Sequence, residues 1–243
     1  MLFLVPTPIG NLGDITLRAL EVLKSADVIG AEDTRHSGHL LHHFGIERPL
    51  VSYHEHNEAR RTQELMERLR RGETVAIISD AGMPGISDPG ARLLAACIAE
   101  SLPYTVLPGA SAVITGLIGS GFPAEAFYYG GFLPPKSGGR ERELEAAASR
   151  QETSIFYESP HRLTKTLEAA VRLLGERPLC VARELTKTFE EYRMGPAAEL
   201  LAHYTAHPPK GEITLLVRGL TSREWREHGK AAERGNGRAN AFQ

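Results

Sequence analysis

Short apolar runs recur along the first half of the chain, separated by stretches whose apolar positions fall three or four residues apart. The runs are LFLV (2–5), DVIGA (27–31), PLVSY (49–53), TVAIIS (74–79) and YTVL (104–107). Short runs of this kind, bounded by polar and turn residues, predict strands buried on both faces. Between them, helices are predicted over Thr16–Ser25, with Leu17, Leu20 and Leu23 inward, and over His39–Phe44, stopped by Gly45. Another covers Glu58–Arg71, with Leu65, Met66 and Leu69 inward and Gly72 as its stop. Asp88-Pro89 predicts a fourth helix, Asp as N-cap and Pro in the first turn, burying Leu93, Leu94, Cys97 and Ile98. Strands alternating with helices predict an α/β domain with a mostly parallel five-stranded sheet and helices on both faces.

The pattern breaks at 116–135, where glycine and proline crowd together and predict a linker. Beyond it, FYYGGFL, SIFYES, LCVARE, YRMG and EITLLVRG predict strands. Helices are predicted over Arg140–Arg150, His161–Leu174 and Ala197–Ala206. The expectation is a second, smaller α/β domain with a mixed sheet. The resulting division is 1–118, 119–220 and a polar, disordered tail over 221–243.

Composition narrows the class. Hydrophobic residues make up 42% and charged residues 24% of 243 positions, enough apolar material for a real core. No apolar run approaches the roughly 18 residues of a membrane span. The opening MLFLVPTPIG lacks a basic flank and a small-residue cleavage site, so it is expected to be a first strand. Two cysteines, Cys97 and Cys180, both inside apolar runs, predict buried free thiols and a reducing cytoplasm. The net charge of −2 announces no polyanion binder, so any such site must be a local basic patch or the tail.

Three glycine-rich segments follow predicted strands: PTPIGNLGD (6–14), SDAGMPGISDPG (79–90) and PGASA (108–112). In an open α/β sheet, ligands sit beyond the carboxyl ends of the strands. Neither GxxxxGK[ST] nor a GxGxxG after the first strand is present, which disfavours the common nucleotide cofactors. A carboxylate at Asp80 would repel phosphate and suits a ribose hydroxyl or an amino group. An adenosine-bearing ligand without phosphate fits that hint, although charge alone does not name it.

PTPIGNLGDIT, AEDTRHSGHLL, SDAGMPGISDPG, PGASA, FYESPHR and VARELTKTFEE, in this order, resemble the motifs of the tetrapyrrole methylase superfamily. The resemblance runs from Leu2 to Leu220 and is greatest to members that act on small-subunit ribosomal RNA. It implies two α/β domains with S-adenosylmethionine in the cleft between them. It also implies a cytoplasmic homodimer that methylates the ribose 2′-hydroxyl of a cytidine in the decoding region of 16S rRNA, with that RNA or the small ribosomal subunit as partner. Where porphyrinoid-modifying members carry Gly-Asp-Pro, this chain has Ser79-Asp80-Ala81, so Asp80 matches the cofactor aspartate and Met83 follows it. Ile9, Gly10, Ser111, Ala112, Tyr157, Ala182 and Ile213 fall at the other cofactor-contact segments.

A ribose hydroxyl is a poor acid, so a general base would assist its methylation. Four polar clusters beside predicted strand ends supply candidates: Glu32–His36, Tyr53–Asn57, Glu158–Arg162 and Arg183–Lys187. From these, Asp33, Glu158 and Lys187 are the expected catalytic residues, with no single base distinguished. Arg35, His36, His54, Arg162 and Arg183 are the expected substrate contacts. His36, His39 and His43 also share a helical face, but no cysteine or spaced carboxylate completes a metal set, so no metal is expected. Two further readings stay open: a methyltransferase of the same fold acting on a tetrapyrrole or other small molecule, and a non-catalytic ribosome-assembly factor.

Overall fold

A computed structural model describes residues 1–227. The chain forms two compact units, Met1–Ala112 and a second that begins at Val113.

In the first unit, β1 (Leu2–Leu4), β2 (Val28–Ala31), β3 (Leu50–Ser52), β4 (Val75–Ile78) and β5 (Tyr104–Val106) form one parallel sheet, ordered β3-β2-β4-β1-β5. The helices are α1 (Leu17–Ser25), α2 (Thr34–His43), α3 (Glu58–Arg70) and α4 (Ala91–Ala99). Alternate strand residues point to opposite faces. Ile29, Ala31, Ala76 and Ile78 therefore pack with Ala19, Val22, Leu23 and Leu41 of α1 and α2. Val28, Val75 and Ile77 pack with Leu65, Met66, Leu69, Leu93 and Cys97 of α3 and α4. Each fully buried Leu or Ile side chain contributes about 1.5–3 kcal/mol, which is why the strand interiors are apolar on both faces.

Several boundaries differ from expectation. Leu17 is 80% exposed, and α1 buries Ala19, Val22 and Leu23 instead, because a nine-residue helix pressed on a sheet shows it only a narrow stripe. Ile98 likewise faces outward on α4. That helix starts after Gly90, with no side-chain cap, so Asp88 is not its N-cap. Asp33 takes that role for α2, which starts five residues before the predicted His39.

The helix α5 (Ala112–Gly119) leads into the second unit, and its second half, Gly116–Gly119, falls in what the sequence suggested was a linker. Its sequence is apolar all round, so it carries no periodic signal. Its glycines let it lie close to the sheet, with Thr214 beside Gly116 and the Tyr192 ring against Gly119. Then follow β6 (Phe127–Phe132), α6 (Ser137–Ser149), β7 (Thr153–Glu158), α7 (Leu163–Leu174), β8 (Pro178–Arg183), β9 (Glu191–Pro196), α8 (Ala197–Ala206) and β10 (Ile213–Val217). The strand order is β6-β7-β10-β8-β9, parallel only between β6 and β7. One face packs on α6, α7 and α8 through Phe156, Val181, Ile213 and Leu215 against Leu144, Leu167, Leu200 and Tyr204.

This mixed sheet also has five strands, each longer than those of the first sheet, so the expected smaller sheet is the larger one. Its edge strands β6 and β9 are half-exposed, and the expected run YRMG covers only the middle of β9. The start of the expected disordered tail is ordered: residues 222–227 are helical. Thr221 and Glu224 form a reciprocal cap, Glu224 N–H donating to Thr221 Oγ1 (3.2 Å) and Thr221 N–H to Glu224 Oε2 (2.7 Å). The rest of the tail lies outside the described residues. Both cysteines are free and buried. Among the described residues no helix is long and apolar enough to cross a membrane.

Candidate active site

Because all five strands of the first sheet are parallel, their carboxyl ends share one edge. The segments after β1, β4 and β5 meet there. Thr7 and Gly82 exchange both backbone hydrogen bonds (2.9 and 3.1 Å), Thr7 Oγ1 donates to the Ser79 carbonyl (3.0 Å), and Ser79 Oγ donates to the Gly82 carbonyl (3.1 Å). Gly82 has φ +81°, and a Cβ there would lie 3.2 Å from Ile9 Cγ2 and 3.5 Å from the Ala110 carbonyl oxygen. Ile9, Gly82 and Ala110 thus form one cradle, with Gly10, Asp80, Met83 and Ser111 in the same segments and Ala112 opening α5. None of these residues is a cation. The cradle suits a ligand without phosphate.

Gly109 brings the β5 segment onto the β1 segment. A Cβ there would come within 2.6 and 2.9 Å of the Pro6 ring, which cannot swing aside. Gly109→Ala is expected to displace Pro6–Gly10 and weaken binding of S-adenosylmethionine about tenfold, near 1.4 kcal/mol. Calorimetric titration measures this, and an unchanged affinity would show that the close approach is dispensable.

The end of β2 joins the same edge. Asp33 N–H donates to Asp80 Oδ1 (3.1 Å), tying residues 47 positions apart. The Asp33 carboxylate caps α2 by accepting the Arg35 N–H (2.8 Å) and pairs with Arg35 Nη2 (3.0 Å). Bonds from the Arg35 side chain and backbone hold the Asp33 carboxyl at about 2. A carboxylate so engaged is a poor proton acceptor, which argues against Asp33 as the base. Arg35 and His36 are exposed on the first turn of α2. After β3, His54 is half-buried: its N–H donates to Asn57 Oδ1 (3.0 Å), and its Nε2 lies 3.0 Å from Asn57 Nδ2. Asn57 donates there, which leaves the ring proton on Nδ1, a buried atom without a partner among the described residues.

Glu32, which the sequence placed in a cluster without singling it out, differs from its neighbours. It is half-buried at the end of β2 and has neither a hydrogen bond nor a counter-ion among the described residues. Burial, then the charges of Asp88, Asp80, Asp33 and Glu55, pushes its carboxyl up to about 7. These carboxylates follow β2, β3 and β4. The only signal in the sequence was an acidic residue after each of three strands, and it acquires meaning once the strand order is known.

In the second unit, Tyr157, Thr214 and Ala182 lie in one row across β7, β10 and β8; Glu158, Ile213 and Arg183 form the next. Adjacent rows face opposite ways. Ile213 therefore points into the helix-covered core, away from the face of Tyr157 and Ala182. Tyr157 packs edge-on against Tyr129 and Phe132, with both ring centroids at 5.3 Å.

Glu158 is buried, and both of its oxygens are engaged. Oε1 accepts the Ser159 N–H (2.7 Å) and pairs with Arg162 (2.7 Å), while Oε2 accepts from Thr166 Oγ1. It anchors the segment between β7 and α7. Arg183 Nε donates to Glu191 (3.1 Å), and its Nη1 donates to the Lys210 carbonyl (3.2 Å). Lys187 Nζ lies 2.8 Å from both Glu184 and Glu212. Burial would lower its basicity, but these two carboxylates outweigh it and hold the ammonium protonated. This clamp fixes a loop in which Glu184 (φ 52°) and Thr186 (φ 63°) are left-handed without being glycine. Among the described residues no group of three His, Cys, Asp or Glu is placed to hold a metal ion.

Residues 1–201 match the family model described as Tetrapyrrole (Corrin/Porphyrin) Methylases. The chain is 49% identical over 222 residues to Ribosomal RNA small subunit methyltransferase I of Synechocystis sp., covering 91% of this chain and 80% of that protein. It is 46% identical over 224 residues to the protein of the same name from Bacillus subtilis, covering 92% and 77%. Among solved structures, uroporphyrin-III-C-methyltransferase from Thermus thermophilus superposes with TM-score 0.64 at 22% identity, over 94% of this chain and 97% of that one. Diphthine synthase superposes with TM-score 0.72 at 13% identity, over 93% and 94%. At such identities these structures show a shared fold alone.

Proposed function

The chain belongs to the tetrapyrrole methylase family, and from that premise we propose that it methylates the ribose 2′-hydroxyl of a cytidine in the decoding region of 16S rRNA, using S-adenosylmethionine. The observation that carries this reading is the cation-free cradle where Ile9, Gly82 and Ala110 meet, in a chain nearly half identical to ribosomal RNA methyltransferases. When bound, S-adenosylmethionine supplies an electrophilic methyl group on a sulfonium. Ile9, Gly10, Met83, Ser111 and Ala112 would hold its adenosyl part, and Asp80 a ribose hydroxyl or the ammonium. Tyr157, Ala182 and Ile213 stay proposed contacts, Ile213 through its backbone.

Glu32 is the proton acceptor in this reading. Its carboxylate would take the proton of the ribose hydroxyl, and a base poised near neutrality is suited to that transfer. Asp33 positions the edge by tying β2 to Asp80. Arg35, His36, His54, Arg162 and Arg183 are the proposed substrate contacts, and Glu158 and Lys187 hold their loops in shape. The same reading makes the enzyme a cytoplasmic homodimer, which sedimentation at twice the chain mass would support.

The test is incubation of the pure protein with methyl-labelled donor and small subunits from cells lacking the activity. Label on one cytidine ribose is expected, and no label on those subunits would overturn the reading. Asp80→Ala removes a charged acceptor and is expected to weaken binding of S-adenosylmethionine about 10- to 100-fold, about 1.5–3 kcal/mol. Calorimetry measures this, and an affinity within twofold of the parent would remove Asp80 from the site.

A further inference from the structure

The start of α6 carries the sequence Lys136-Ser137-Gly138-Gly139-Arg140, and nothing in the site described above uses it. Lys136 stands at the N-cap without a side-chain capping bond, and the first turn holds no acidic residue. The N–H groups of Ser137, Gly138 and Gly139 meet no acceptor among the described residues, and Lys136, Ser137 and Gly138 are exposed. An uncapped helix start presents free donors and the positive end of the helix dipole.

A second observation points the same way. Arg140 is only 7% exposed, yet no carboxylate pairs with it among the described residues. Its side chain runs back along the helix, as helical side chains do. Its Nη1 reaches the Pro135 carbonyl, which precedes the first turn (3.3 Å), and its Nε is buried without an acceptor among the described residues. A buried cation without a counter-ion is expensive to keep. The neighbouring Glu141 is drawn off by Arg172 (2.7 Å). Packing requires glycine at 139, where a Cβ would press on Pro134 (2.9 Å). At 138 a Cβ would meet nothing within 4 Å, so packing does not require glycine there.

We propose that the start of α6 is a phosphate-binding site. Its donors are the Ser137, Gly138 and Gly139 amides, the Lys136 ammonium and the Arg140 guanidinium. Resting on the methyltransferase reading, its ligand is a backbone phosphate of the substrate RNA. Such a contact positions a strand without reading its sequence.

Gly138→Asp tests this. The added carboxylate has room and favours the helix dipole, so the fold keeps its melting temperature, while the phosphate is repelled. Binding to small ribosomal subunits is expected to weaken at least about tenfold, and the slope of log K against log salt to fall by about one, for Gly138→Asp and for Lys136→Ala. KM for subunits should rise, with kcat and donor affinity unchanged. In a parallel arm, inorganic phosphate against chloride at equal ionic strength should shift the amide resonances of residues 137–139 in the parent and not in Gly138→Asp. Affinities and salt slopes within twofold of the parent would overturn the RNA assignment, and silent amides would overturn the site. If the parent labels no ribose at all, the methyltransferase reading fails, and the phosphate arm still decides this one.

Discussion

Glu32→Gln is expected to slow methyl transfer about 100- to 1,000-fold, within the range a positioned general base contributes. Binding of S-adenosylmethionine should stay within twofold, because the cradle of Ile9, Gly82 and Ala110 does not include this side chain. In the parent, kcat/KM should rise with pH and level off above about 7, where the carboxylate is ionised. In the variant that limb should vanish. Stability moves the opposite way. The folded chain holds a proton on Glu32 between its ordinary value of 4.5 and about 7, and the unfolded chain does not. Parent stability therefore falls as pH rises through that window.

Glutamine cannot ionise, so the variant should be more stable at pH 8. The gain is about 1 kcal/mol once solvent screening of a half-exposed group is allowed for, or about 2–4 °C in Tm. At pH 4.5 the gain should disappear. Single-turnover methylation and thermal melts across pH measure both. A variant with undiminished rate, or one destabilised at pH 8, would remove Glu32 from the role of base.

Glu158→Ala should be the most damaging single change to the second unit. It strips the partner from Arg162 and leaves Thr166 Oγ1 and the Ser159 N–H without their acceptor in a buried place. Breaking a buried, hydrogen-bonded ion pair from one side costs about 3–5 kcal/mol, which corresponds to a loss of about 10 °C in Tm. Denaturant melts would report it. Glu158→Gln keeps the shape and two of the bonds and should lose less than half as much. The pair of variants separates an anchor from a base. A catalytic Glu158 would give a Gln variant with parental Tm and a hundredfold loss of rate; an anchor gives graded instability and a rate that recovers at low temperature.

The fold was largely legible because its signals are local. Val75–Ile78 is apolar at every position, since both faces of a parallel strand are covered, and Leu65, Met66 and Leu69 keep helical spacing because α3 buries one stripe. Where the chain departs from such periodicity, the signal failed. The helix α5 is apolar all round and crowded with glycine, so it resembled a linker. The glycine-rich segments at the strand ends were legible too, and the structure brings those after β1, β4 and β5 together at one edge. The roles of charged residues were not. Asp33, Glu158 and Lys187 looked alike as candidates, and only their partners distinguish a helix cap, a buried anchor and a clamped ammonium.

The sequence by itself determined the parallel sheet and the glycine-marked edge, because each depends on residues adjacent in the chain. Only the tertiary structure decided which carboxylate is poised near neutrality. That property belongs to Glu32 through its burial and then through the charges of Asp88, Asp80 and Glu55, which arrive from other strands. Their field acts through space, and no periodicity along the chain records it.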